Sequence, residues 1–456
     1  MSYNSLQGNI PEEIGNLHNM NLLSIQYNQL TGSIPLSVFN ISRIENIGFT
    51  GNGLSGSLPN GLRNGLPILK GIYLSSNKLR GHMPTTLSSC SQLQILSLSD
   101  NEFDGPIHSE RGRLSNLQIL YLGTNHVTGE IPKEISNLVE LELLNLWYNS
   151  FRGRQNMEIF NISGVRIIIE VIAFSGNSLL GYLPYGLCNG LPTLKGLYLW
   201  KNKLCGHMPT SLSNCSQLQI SALPNNEFGG PMHSEFGRLR IIPQEIENLV
   251  NLVELAMEKN QITCSVQISI FNISLLQILF VWENNLSGFL PREISSLIEL
   301  EELHLAFNSF GGSLPMEIFN ISRLRVIDLT NNNLSGSLPP NMGSILPNIE
   351  ELYMGNLTNL VGNIPHSSPI VQNLLLDSQL TWIFDSSTVS KFRGKQFNQR
   401  LISKLPNFLN QLQKFNNSGS IFESSKRHAS CLHGEPFHIF ENICCLQFQD
   451  QRENSK

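Results

Sequence analysis

The stretch LKGIYLSSNKLRGHMP, Leu69 to Pro84, decides the fold. Ile72 and Leu74 alternate with Tyr73 and Ser75, the period of a short strand with one face turned in and one turned out. Leu69 and Leu79 close the apolar side from either end, and Asn77 stands where the strand stops. A carboxamide carries both donor and acceptor, so an asparagine held inside the chain can serve backbone groups of adjacent turns. Gly81 suits a sharp bend with positive φ. Pro84, with fixed φ and no donor, favours an extended, non-helical segment beyond the bend.

The same frame returns along the chain. Its asparagine recurs at Asn4, Asn28, Asn52, Asn77, Asn101, Asn125, Asn149, Asn177, Asn202, Asn226, Asn260, Asn284, Asn308 and Asn332, with a blurred fifteenth turn expected near Asn359. Two intervals, 149–177 and 226–260, are irregular. Glycine stands four residues after the asparagine in thirteen of those fourteen turns. One such turn cannot bury its own apolar side, whereas stacked turns share a continuous core. The repeat therefore replaces the division into about three domains that length alone suggests. The expected organisation is an array over 1–365 followed by a degenerate, poorly ordered tail over 366–456.

Hydrophobic residues make up 41% of the chain, enough for such a core. A net charge of -5 gives no basic footprint for nucleic acid. The best apolar run, 165–174, is interrupted by Arg166 and Glu170 and falls short of the roughly 18 residues a spanning helix needs.

A period of roughly 20 to 29 residues with this leucine and asparagine spacing is the signature of leucine-rich repeats. The segments LTGSIP at Leu30 to Pro35, VTGEIP at Val127 to Pro132 and LSGSLP at Leu334 to Pro339 further resemble the plant extracellular type, found in ectodomains of receptor-like kinases and receptor-like proteins. The resemblance implies an α/β leucine-rich-repeat solenoid. It would be a right-handed curved superhelix with a concave parallel β-sheet and a short 3-10 or irregular convex side. It also implies a peptide, steroid or protein ligand on the concave face, a possible co-receptor, and an extracellular or membrane-associated setting. No cofactor is implied. The chain opens at MSYNSLQGNIP, already inside a turn, and shows neither a charged-then-apolar leader nor the Gly-rich loop, strand lysine, H-R-D and D-F-G of a kinase. Read alone, this favours a fragment of a larger receptor gene, itself without enzymatic activity.

Residues 52–114 recur at 177–239 with an offset of 125, so a block of five turns is duplicated. The second copy lacks fourteen residues after Leu239, including one strand and its asparagine. A single turn with an overlong convex arc is expected there. Ser221 replaces the inward Leu96 of the first copy, and Cys264 stands where other turns have the bend glycine. A polar substitution on a core position costs on the order of 2–5 kcal/mol if Leu→Ala is a guide, so the middle turns are expected to be the least stable.

Eight cysteines do not form the cap pairs of an extracellular solenoid. Cys90 and Cys215 occupy duplicate convex positions and are expected to be small buried hydrophobes. Cys188 and Cys205, replacing Arg63 and Arg80, are expected to be exposed, and spacing across consecutive turns allows a bridge between them without deciding it. Nine N-x-[ST] sequons occur, and Asn40, Asn161, Asn214, Asn272 and Asn320 are the convex ones where a glycan is tolerated. The tail carries +3 against -8 for the repeats, and its His428, Cys431, His433, His438, Cys444 and Cys445 lack the paired spacing of a zinc site. No metal is expected.

Histidines such as His82 and His207 recur only because the block was copied, so no catalytic constellation stands. Binding does have residues. Outward positions lie four and two before each ladder asparagine, and their aromatics concentrate between Tyr121 and Trp282. The candidate ligand-binding set is Tyr121, Asn145, Trp147, Tyr198, Trp200, Glu258, Phe280, Trp282 and His304. A second class of function, a secreted inhibitor of a microbial wall-degrading enzyme, would need acidic outward residues, of which these two columns offer Glu258 and Asp328. A product with no retained role is the third.

Overall fold

A computed structural model describes residues 1–59, 66–154, 168–229, 242–265 and 268–362. They belong to a unit spanning Met1–Ser378; the second unit, Gln379–Lys456, lies outside the described residues, as do the expected tail and its His and Cys cluster.

Each turn contributes a three-residue strand to an inner sheet of fourteen strands, from Leu22–Ser24 to Glu351–Tyr353, all parallel and in chain order. The registers are direct: Ile72 sits between Ile47 and Leu96, one core residue per strand. A second row of short strands follows the asparagines and forms a ten-stranded and a five-stranded sheet. Among the described residues the convex side is built mainly of single five-residue 3-10 turns, such as Leu36–Asn40, Lys133–Asn137 and Met316–Asn320, with a short α-helix at Met342–Ile345. The preceding prolines stay extended, as expected, with φ -66 and ψ 141 at Pro35. They do not exclude a helical turn beyond them, because a proline before the first turn removes a donor that would have no partner anyway.

The asparagine ladder explains the period. In Asn52, Oδ1 accepts from the Leu30 N–H of the preceding turn at 3.1 Å, while Nδ2 donates to Ile25 O of that turn and to Phe49 O of its own. The cross-turn bond to Oδ1 repeats at Asn28, Asn77, Asn101, Asn125, Asn149, Asn177, Asn202, Asn226, Asn260, Asn284, Asn308 and Asn332. The residue just before each rung has positive φ whatever its type: Tyr27 51°, Ser76 54°, Lys201 56° and Phe307 55°. The sequence did not announce this strained position, because glycine marks it only at Gly51 and Gly176. The ladder bonds hold it in place. The bend glycines behave as expected, with Gly32 at φ 77° and Gly81 at 81°.

At the shortened turn, Ser221 pairs with Leu255 and Ala222 with Ala256, so consecutive inner strands meet without an intervening one. Phe228 N–H still reaches Asn260 Oδ1 at 3.1 Å. The long arc itself, 230–241, lies outside the described residues. In the outer row, Gln261 N–H donates to Phe228 O at 2.8 Å, the same bond that joins other successive turns. Ser221 is fully buried and its hydroxyl has no hydrogen-bond partner. Cys264 pairs with Leu286 in the outer strand.

Two expectations need correction. The blurred last turn does not place Asn359 on the ladder: strand register aligns Glu351–Tyr353 with Val326–Asp328, and the positive φ of Asn356 puts Leu357 in the asparagine's place. The cysteine pairing also differs. Cys188 is buried and bonds to Cys215, at a sequence separation of 27, rather than to Cys205. Cys215 is thus not merely a small hydrophobe. Both cysteines sit in the convex layer, where the next turn places them at a Cα separation of 5.1 Å, while Cys205 belongs to the outer strand Lys203–Gly206. Cys90 is buried, as expected.

Replacing Asn101 by Leu removes a rung from a buried ladder and is expected to cost about 2–4 kcal/mol, since each orphaned backbone group costs about 1–3 kcal/mol. Urea midpoints compared with those of an Asn4→Leu variant at the array's start check this. Reducing the Cys188–Cys215 bond, or replacing both cysteines by Ser, is expected to lower stability by about 3–4 kcal/mol on loop-entropy grounds, read by thermal unfolding with and without reductant.

Candidate functional site

The inner sheet offers three outward columns per strand: six, four and two residues before the ladder asparagine. Side chains on neighbouring strands lie about 4.8 Å apart across it. In the column two before, Trp147, Ser175, Trp200, Pro224, Glu258 and Trp282 follow one another strand by strand. In the column four before, the order is Tyr121, Asn145, Ala173, Tyr198, Ala222, Ala256, Phe280 and His304. All nine candidate residues therefore fall on one face.

Their exposure differs from the outward-facing expectation. Tyr121, Asn145, Trp147, Glu258, Phe280 and His304 are buried, whereas Tyr198, Trp200 and Trp282 are half-buried. Part of the cover comes from the wall itself. The Trp147 indole lies against Gly123 on the preceding strand, so closely that a Cβ there would collide with it. Tyr198 covers Gly196 in the same way. Small residues thus let large ones lie flat. Tyr148, at the strained position before Asn149, packs edge-on against Trp200 with ring centres 5.4 Å apart, and Lys201 sits over the same ring. Phe280 and His304 form a perpendicular pair at 4.5 Å. Asn145 Oδ1 accepts from the Trp147 N–H at 3.2 Å, so that atom is already used within the wall.

The column six before the asparagine was not among the sequence candidates, although strand alternation would have given it. It contributes Glu254, Glu302 and Glu351, which join Glu258 and Asp328 of the other two columns. Burial, reinforced by Glu302, pushes the Glu254 carboxyl up to about 7. Burial likewise raises Glu258 to about 8, against the opposing bond from its own backbone N–H and with added repulsion from Glu254. The Tyr198 phenol is raised by burial and then by Glu254. Among the described residues no group of three or more His, Cys, Asp or Glu is placed to hold a metal.

Of the sequons, Asn40, Asn214, Asn272 and Asn320 are exposed at the ends of convex 3-10 turns, on the side away from the inner wall. Asn214 and Asn272 donate their amides to Asn189 and Glu247. Asn161 lies outside the described residues.

A carboxyl raised on folding contributes its stability below the unfolded value and loses it as pH rises through the folded one. Glu258→Gln is therefore expected to unfold at higher urea than the parent at pH 8.5, by about 1–3 kcal/mol, with the gap closing below about pH 4.5. Urea titrations at the two pH values check it.

The leucine-rich-repeat family model matches residues 116–138, 299–321 and 323–345. No curated protein sequence matches the chain. Similar solved structures include the plant peptide hormone receptor RGFR1 in complex with RGF2, at 30% identity and a TM-score of 0.73 over 82% of this chain and 57% of that one. The crystal structure of a TDR receptor aligns at 28% identity and a TM-score of 0.70, over 80% and 64%. A Leptospira interrogans leucine-rich-repeat protein aligns at 28% and 0.61, over 77% and 83%. The chain thus spans about 57% and 64% of the lengths of the two receptor structures. Together with the ladder and the stacked parallel sheets, these matches make the chain a leucine-rich-repeat solenoid similar to the ectodomains of plant receptor kinases.

Proposed function

We propose that this chain is a non-catalytic recognition module that binds a peptide or a protein segment along its inner wall, in plant signalling or defence, outside the cell or at the plasma membrane. The carrying observation is the aromatic stretch of that wall. Tyr121, Trp147, Tyr198, Trp200, Phe280 and Trp282 lie on one continuous sheet, and the shortened turn between them leaves the strand pairing intact. Six strand steps separate Tyr121 from Phe280, roughly 29 Å, which matches about nine residues of extended peptide. Trp and Tyr are the side chains that most often anchor interfaces. The likeness to a plant peptide hormone receptor solved in complex with RGF2 supports a peptide as the ligand. A co-receptor would add a second contact. No described helix is long and apolar enough to cross a membrane.

The five wall carboxylates give weight to a second reading, inhibition of a secreted enzyme with a basic surface, because they exceed the two visible in the sequence columns first considered. The convex sequons fit a glycoprotein whose sugars leave the inner wall open.

Peptides selected by the purified chain from a random library are expected to lose binding at least about a hundredfold when Trp147, Trp200 and Trp282 are all replaced by Ala, while far-UV circular dichroism shows the array still folded at a lowered unfolding midpoint. Undiminished capture by the triple variant, or no peptide selected at all, contradicts the reading. Capture confined to folded wall-degrading enzymes favours the inhibitor.

A further inference from the structure

The wall is segregated by charge. From Leu22–Ser24 to Ile220–Ala222, nine inner strands present no charged side chain in any of the three outward columns. The next five strands present Glu254, Glu258, Glu302, Asp328 and Glu351, with His304 as the sole basic group in those columns. The boundary falls at the shortened turn, where Ile220–Ala222 meets Glu254–Ala256.

Glu258 stands apart in this group. It is 7% exposed, and its Oε2 has no hydrogen-bond partner. A buried carboxyl oxygen left without a partner is costly, and a cationic donor brought beside it would hold the group ionised. In its own column it is flanked by Pro224 on one strand and Trp282 on the other. Trp282 already accepts a cation, Lys259 Nζ, at 4.9 Å from its ring centre, and that lysine lies 3.9 Å from Glu283.

We propose that this place seats an arginine side chain of the peptide ligand, its guanidinium paired with Glu258, beside Trp282, in the field of Glu254 and Glu302. Guanidinium is planar, weakly hydrated and able to give two parallel hydrogen bonds to one carboxylate while stacking on an aromatic face. An ammonium, which is more strongly hydrated, loses more on entering a desolvated site. The wall also sets spacing. Trp200 lies two strands before Glu258, about 10 Å, and Trp147 four strands before, about 19 Å, so at about 3.3 Å per extended residue the arginine falls three or six positions from an apolar anchor.

The inference rests on the inner wall being the binding face, and it is tested separately from peptide capture. The probes are N-acetyl-argininamide and its uncharged isostere N-acetyl-citrullinamide, titrated into the full chain and followed by ligand-observed NMR. Arginine is expected to bind at least about tenfold more tightly than citrulline, and Glu258→Gln to abolish that preference while Glu12→Gln keeps it. The comparison of the two probes on the parent chain needs no variant, and the urea midpoint of Glu258→Gln reports its folding. Equal affinities, absent arginine binding or an unchanged preference in a folded Glu258→Gln overturns the seat. If library peptides are captured but carry no arginine at a fixed spacing, the seat is wrong and the binding face stands. If the arginine preference appears and depends on Glu258 but no peptide is captured, the seat stands and the peptide reading falls. Retention of a folded cationic protein such as lysozyme without argininamide binding also overturns the seat.

Discussion

Everything in this molecule depends on a carboxamide that bonds across turns. At each rung Oδ1 takes a backbone N–H of the preceding turn and Nδ2 gives to carbonyls of both. These backbone groups sit where the chain leaves the inner strand and no sheet bond is available to them, so burial without the amide would leave them unmet. Repetition follows from that need. A rung also fixes the neighbouring residue at positive φ, which a tyrosine, lysine or phenylalanine would not adopt unaided.

The ladder tolerates insults that would end a globular core. The duplicated block has lost fourteen residues, has gained a serine in the core at Ser221, and still passes its rung from Phe228 to Asn260. Stability in a stacked array is a sum over neighbours, so damage stays local. The Cys188–Cys215 bond spans adjacent turns near this damage and constrains them from the convex side.

The architecture was legible because its signal is repeated: strand alternation, asparagine and bend glycine appear in register from Asn4 to Asn332. What escaped the sequence is relational. Which cysteine faces Cys188 depends on how one convex turn settles on the next, and spacing alone left Cys205 as the candidate. The last turn's register was misjudged because Leu357 took the rung position while a nearby Asn359 looked the part. The aromatic wall was readable as a column pattern, but the flat packing of Trp147 on Gly123 was not, since glycine had been read only for its backbone freedom. Glu254, Glu302 and Glu351 were missed by counting two outward columns where a three-residue strand with its flanks presents three.

Inner strands run in step from Leu22 to Tyr353, across the place where the second copy lacks fourteen residues. Loss of one strand there brings every later residue of the wall one step, about 4.8 Å, closer to the aromatic stretch. Deletion in such a coil works like shortening a ruler: the face stays whole, and what changes is the distance from Trp200 to Glu258 and so the length of guest that can touch both.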